Sequence, residues 1–131
     1  VLEGAPDLGG TWYNNRYPGC RFDSESYTYG YSFSREVLDE WHWRERFSSQ
    51  PENLKYLNFV ADRMDLRRDI ELGTLITGAA YDETTQRWRV ETSRGTYVEA
   101  QFLICASGAL SAAAGVPFAS QSTRRARRHS S

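Results

Sequence analysis

Residues 8–19 read LGGTWYNNRYPG, and the fold turns on how that stretch is taken. Gly9-Gly10 and Asn14-Asn15 argue against a core strand, where glycine packs nothing and asparagine is depleted. Trp12, Tyr13 and Tyr17 argue against an open solvated loop, because each ring carries a large apolar surface. What remains is a loop that wraps around something, closed by the Pro18-Gly19 turn. Gly9 and Gly10 let backbone amides approach a phosphate or a flat ring. The aromatic side chains can pack on that ring, and Arg16 can meet a phosphate or carboxylate. Past the turn, RFDSES sets Arg21, Asp23 and Glu25 on alternate positions, hence on one face of an extended chain. A solvated charged edge would read the same.

Working outward, VLE at residues 1–3 reads as the end of a strand, and residues 4–34 as loop, rich in Gly, Pro, Asn and Ser. Within that loop Tyr27, Tyr29, Tyr31 and Phe33 alternate with small or polar residues, which predicts a half-buried extended segment. Ser34 predicts a helix cap, with Val37, Leu38 and Trp41 following on one face. In SSQPENLKYLNFVADRMDL, Pro51 suits a first helical turn and Glu52 complements the positive end of the helix dipole. Leu54, Leu57, Val60, Ala61 and Met64 recur at steps of three and four, predicting a helix over about 50–66 that packs through this stripe. From about residue 70 the period changes to two. IELGTLITGAAYDE, RWRVETS and TYVEAQFLICAS read as strands, which predicts a three-stranded β-meander across about 70–102 with DETTQ and SRG as its turns. FLICAS, 102–107, is a continuous apolar run and predicts a strand buried on both faces, ending near Ser107. The order of elements gives an α/β fold.

The 131 residues are enough for one domain. A hydrophobic content of 40% with 25% charged residues is that of a globular protein. No run of about 20 apolar residues suggests a membrane span, and no basic-then-apolar leader suggests secretion. VLEGAPDLGG has no Met and reads as though cut from something longer. Four of the 16 basic residues and none of the 17 acidic ones lie in 119–131, so residues 1–118 carry a net charge of −5. The tail, ASQSTRRARRHSS, is expected to be mobile, since it has no large apolar side chain. Its arginines also open a second reading, a non-enzymatic acidic domain whose tail binds nucleic acid or an acidic partner.

Few residues suggest covalent chemistry. Cys20 and Cys105 fit neither a metal spacing nor a disulfide framework and read as two reduced thiols of a cytoplasmic protein. His42, between Trp41 and Trp43, reads as packed. No Ser-His-Asp, Cys-His or metal set can be assembled. Glu3 stands where the second strand of a dinucleotide-binding βαβ unit ends in an acid that bonds ribose hydroxyls. A surface glutamate would look the same, and the glycine fingerprint that would lie about 20 residues earlier is not in this chain.

The stretch GGTWYNNRYPGCRFDSESYTYGYSFS, 9–34, closely resembles the flavin-facing loop of Baeyer–Villiger monooxygenases, which typically read GG-T-W-Y-W-N-R-Y-P-G-x-x-x-D-x-E-S. The likeness continues through EWHWRERFSSQPENLKYLNFVADRMDLRRDI to FLICASGALS and covers about residues 1–111. The resemblance implies a partial FAD/NAD(P)-binding Rossmann-like domain with a three-stranded β-meander, truncated at both ends. Residues 1–111 would be the central part of an FAD-binding domain and 112–131 a flexible basic tail. It implies FAD and NADPH as cofactors, a small-molecule ketone as substrate, and an ester or lactone as product. Carried over residue by residue, Glu3 falls on the adenosine ribose and Gly10, Thr11 and Trp12 on the flavin and pyrophosphate. Asp23 falls beside the isoalloxazine ring and Tyr29 on another flavin contact. The backbone amide of Ile76 falls on the adenine, and Arg21 beside the nicotinamide cofactor. Asn14, Phe22 and Ala109 depart from the family pattern. Neither a G-x-G-x-x-G motif nor the family's FxGxxxHxxxW fingerprint occurs in the 131 residues, so the chain alone is not expected to oxygenate ketones.

Overall fold

The structure, a computed structural model, describes residues 1–108 and 118–121. It divides into two compact units, Val1–Gly73 and Thr74–Ser131.

The first unit is mostly loop around helices. After a single helical turn, α1 (Thr11–Asn14), a 3-10 turn covers Ser26–Tyr29, followed by α2 (Arg35–Glu40) and α3 (Gln50–Arg63). Ser34 caps α2 as expected, its Oγ accepting from the Val37 N–H at 3.3 Å. Pro51 and Glu52 lie in the first turn of α3. The helix stops where Asp65 takes a positive φ of 52°. Leu66 N–H then donates to Ala61 O at 2.8 Å and closes the terminus, as such left-handed C-caps do. Arg63, in the last turn of α3, pairs with Glu36 and Glu40 of α2 at 3.0 Å each.

The stripe on α3 differs in detail from the expectation. Val60 and Ala61 are buried and Leu54 and Leu57 half-buried, but Met64 is exposed, and Tyr56 and Asn53 are the most buried side chains of the helix. The core is Val37, Tyr56 and Val60, ringed by Tyr29, Trp41, Trp43, Leu57 and Phe59. Asn53 is satisfied locally, since its Nδ2 donates to Ser48 O at 3.3 Å and its Oδ1 accepts from Ser48 Oγ. VLE behaves as a strand end, Glu3 N–H donating to Glu71 O at 2.9 Å and Glu71 N–H to Val1 O at 2.8 Å.

Two expectations for this unit are corrected. Residues 27–33 are not an extended half-buried segment. The 3-10 turn at Ser26–Tyr29, closed by Thr28 N–H and Oγ1 on Glu25 O, rotates the rings apart. Tyr29 points into the core while Tyr27 is 70% exposed. His42 does not pack: it is exposed, and only the flanking Trp41 and Trp43 join the aromatic core.

The second unit is the expected antiparallel meander, β1 (Ile76–Asp82), β2 (Arg87–Thr92) and β3 (Tyr97–Ala100). A fourth strand, β4 (Phe118–Gln121), adds parallel to β1, giving the order β3-β2-β1-β4. Ala79 and Val90 oppose each other across β1 and β2 and are buried. The β1–β2 turn is held by Asp82, whose Oδ1 accepts from Thr84 N–H at 2.8 Å. Gly95, at φ 74°, permits the β2–β3 turn.

FLICAS is a further correction. Residues 102–108 form no strand, and Phe102 and Ile104 are 77% and 87% exposed. A strand buried on both faces needs neighbours on both edges and both faces, and among the described residues nothing pairs with this run. The apolar run reports a demand for burial but cannot supply the partner. Of the tail expected at 112–131, only β4 is described. Ala109 and the remaining tail residues lie outside the described residues.

Candidate functional site

The loop at residues 8–19 is bolted down from below and open above. Gly9, at φ 122°, lies so close to α3 that an added Cβ would stand 2.4 Å from Leu54 Cδ1. Gly10, at φ 48°, is the opposite case, with no atom within 4 Å of an added Cβ. Gly9 therefore serves close approach to the helix, and Gly10 leaves a bare backbone facing open space. Trp12 is the anchor. It is 6% exposed, and its indole Nε1 donates to Tyr29 Oη at 2.6 Å. Its backbone carbonyl accepts from Gln50 Nε2. Thr11, half-buried, begins α1, and its carbonyl accepts from both the backbone and the side-chain amide of Asn15 at 2.9 Å.

Tyr29 is the hub of the aromatic cluster. Its ring lies 4.5 Å from Phe22, 6.1 Å from Trp12, and 6.4 Å from both Trp43 and Tyr56, centroid to centroid. Burial holds the Tyr31 and Tyr56 hydroxyls above the usual tyrosine range. Tyr56 Oη accepts from Tyr31 N–H at 2.7 Å.

The charged candidates sit apart from this cluster. Arg21 pairs with Glu45 and donates to Phe47 O at 2.7 Å. Glu25 meets the Tyr27 hydroxyl and Arg46, which together hold its carboxyl below the usual range. The three alternate side chains of RFDSES thus part company: Arg21 and Glu25 take ion-pair partners, while Asp23 is exposed and has none among the described residues. Glu3 folds back on its own loop, Oε1 accepting from Ala5 N–H at 2.7 Å. Ile76 belongs to the second unit, where it opens β1 opposite Thr92. The structure therefore joins Trp12 to Tyr29 directly and gives Glu3, Arg21 and Asp23 separate surroundings.

Among the described residues, two of the concavities lie away from this loop. One, of about 370 Å³ in the first unit, is walled by Tyr27, Gly30, Leu38, Trp41, His42 and Trp43 over Val37 and Tyr56. Beside it Trp41 Nε1 is buried without a hydrogen-bond partner. The other, of about 560 Å³ in the second unit, lies over the charged face of the meander, including Arg87, Arg89, Glu91 and Glu99. Neither is lined by Glu3, Gly10, Thr11 or Asp23. Both cysteines are free, Cys20 buried and Cys105 exposed. Among the described residues no cluster could hold a metal ion, and no helix is long and apolar enough to cross a membrane.

Sequence reasoning missed Gln50, read only as part of a helix start. A polar side chain just before Pro51 carries no periodic signal, because its partner, Trp12, is 38 residues away.

No family model matches the chain. Individual proteins do. The acetone monooxygenase (methyl acetate-forming) of Gordonia sp. (strain TY-5) is 51% identical over 112 residues, 86% of this chain and 21% of that protein. The cyclohexanone 1,2-monooxygenase of Acinetobacter sp. is 40% identical over 112 residues, again 86% and 21%. Among solved structures, oxidized steroid monooxygenase bound to NADP superposes with a TM-score of 0.80 at 54% identity, covering 82% of this chain and 20% of that one. The OTEMO complex with FAD and NADP gives 0.77 at 48% identity, with 82% and 20% covered. The chain spans about one fifth of the length of the proteins it matches, and over most of its residues it is a segment of the Baeyer–Villiger type of flavin monooxygenase.

Proposed function

We propose that this chain supplies the central part of the FAD domain, residues 1–111, of a cytoplasmic flavin- and NADPH-dependent monooxygenase that converts a small ketone to an ester or lactone. Residues 112–131 are then a basic extension outside the family's segment. The observation that carries the reading is the match of 40–51% identity over 112 residues to the ketone monooxygenases just described. The Rossmann-like character of the whole domain belongs to this proposal, because the chain itself displays a meander and helices.

The residues fit a flavin in kind. Gly10 presents an uncovered backbone, and no Cβ obstructs its open side. Thr11 continues that surface with a hydroxyl. Trp12, too buried to offer a ring face, supports the turn from beneath and is held by Tyr29. Asp23, exposed and unpaired among the described residues, is free to meet a polar ring edge. Glu3 keeps Oε2 for the ribose while Oε1 holds Ala5. The backbone of Ile76 would serve the adenine. Arg21 would face NADPH, with Glu45 setting its side chain. Bound flavin supplies the redox chemistry with oxygen; these residues bind and orient it.

The test is a titration of the purified chain with FAD up to millimolar concentration, followed by amide and side-chain NMR. Saturable shifts at Gly10, Thr11 and Asp23 are expected, with weak affinity, because no glycine-rich phosphate turn is among the 131 residues. Shifts scattered over the surface without saturation would overturn the assignment. Incubation with FAD, NADPH, oxygen and a panel of ketones is expected to give no ester by mass spectrometry above a heat-killed control.

A further inference from the structure

A one-turn helix cannot hold itself. Almost all its carbonyls lack intrahelical partners, and a single turn is far below the length at which helices persist alone. In α1 the carbonyl of Trp12 faces inward, and its acceptor is met by the side chain of Gln50, itself only 8% exposed. Gln50 is fixed in turn by its backbone, whose N–H donates to Cys20 O at 2.9 Å. One turn further along α3, Leu54 abuts Gly9. Positions four apart share a helix face, so Gln50 and Leu54 form one platform under Gly9–Trp12. Leu54 holds the entry to the turn by shape, and Gln50 holds its carbonyl by a directional bond.

We infer that Gln50 is a positioning residue: its side-chain amide sets the conformation of the Gly9–Trp12 turn and thereby aims the bare Gly10 backbone. The purpose of that aim rests on the flavin reading; the geometry does not. Gln50 touches no reacting group, and it acts through the turn alone.

Hydrogen exchange on the full chain tests this. The amides of Trp12, Tyr13, Asn14 and Asn15 donate to Gly9, Gly10, Gly10 and Thr11 at 2.9–3.1 Å. In Gln50→Met, which keeps the shape and removes the donor, exchange at these four amides is expected to accelerate about tenfold. The Val90 amide in the meander should not change. Equal acceleration everywhere, or none at residues 12–15, would overturn the proposal. Gln50→Glu gives a second arm that does not depend on Met packing well. An ionised carboxylate can only accept, whereas the protonated acid can donate to the Trp12 carbonyl. Protection at residues 12–15, corrected for intrinsic rates, should fall at neutral pH and return on acidification. A pH-independent pattern in this variant would count against Gln50. FAD titration of the same proteins reads the other question. A wild-type chain that binds no flavin removes the flavin reading alone, while the exchange pattern still decides the role of Gln50.

Discussion

The two units of this chain are held together in different ways. In Thr74–Ser131 the meander is made of neighbours in sequence. β1 meets β2 and β2 meets β3 through short turns, and the decisive residues, the Asp82 carboxylate and the left-handed backbone of Gly95, act within a few residues. In Val1–Gly73 the shape depends on side-chain hydrogen bonds that span 17 to 38 residues, such as Trp12 to the Tyr29 hydroxyl and Gln50 to the Trp12 carbonyl. Local backbone pairing tolerates substitution of one side chain, because the ladder persists. A loop with little regular structure has no such reserve, so individual buried side chains decide its conformation.

The first unit is most sensitive at Tyr56. Its side chain is 1% exposed and packs against Tyr29, Tyr31, Trp41 and Trp43. Tyr56→Ala should cost about 3–5 kcal/mol, as large-to-small aromatic changes in cores do. Tyr56→Phe, which removes only the acceptor of the Tyr31 N–H, should cost about 1 kcal/mol. Urea denaturation followed by near-ultraviolet circular dichroism measures both, and equal losses would mean that the hydroxyl rather than the packing dominates.

Gly9→Ala comes next. Its φ of 122° is strained for any residue with a Cβ, and Leu54 must also move. About 1–3 kcal/mol is expected. Gly10→Ala, with open space around it but φ 48°, should cost less by the same denaturation. A larger loss at Gly10 would show that backbone conformation outweighs contact with α3.

The meander should respond more mildly. The Thr84 N–H, followed by Thr85, holds the Asp82 carboxyl below its ordinary value. A depressed carboxyl stabilises the fold fully above its unfolded value of about 3.9 and ceases to do so as pH falls through the lower folded value. Asp82→Asn should therefore flatten part of the stability loss below about pH 4, read as the urea midpoint against pH. An unchanged profile would remove Asp82 from the acid response. Smallest of all, Arg35→Ala breaks an exposed i,i+4 pair with Asp39 and should leave the midpoint unmoved within error.

How much of this was legible follows from the range of each interaction. Ser34, Pro51 and Glu52 announced α2 and α3 because caps and first turns act over three or four residues. The meander was legible because alternation and turn residues are local, and RWRVET, all but the last residue of RWRVETS, forms β2. The loop at 8–19 was legible as a binding element only by resemblance, since its residues alone fit a solvated edge equally well. Its separation into a Gly9 pressed against α3 and a Gly10 whose Cβ side faces open space was not visible, as both are the same letter.

By itself, then, the sequence determined where the chain turns, caps and pairs with its near neighbours, and its long match to ketone monooxygenases placed it in a family. The tertiary structure decided which side chains become anchors. It turned a half-buried Tyr29 onto the core and exposed Tyr27, left His42 in solvent and set Gln50 beneath Trp12. It also left Phe102 and Ile104 uncovered despite an apolar run that demanded burial. The physical reason is the same in each case. Periodicity records what a residue needs, whereas burial requires a partner, and a partner many residues away leaves no mark on the local pattern.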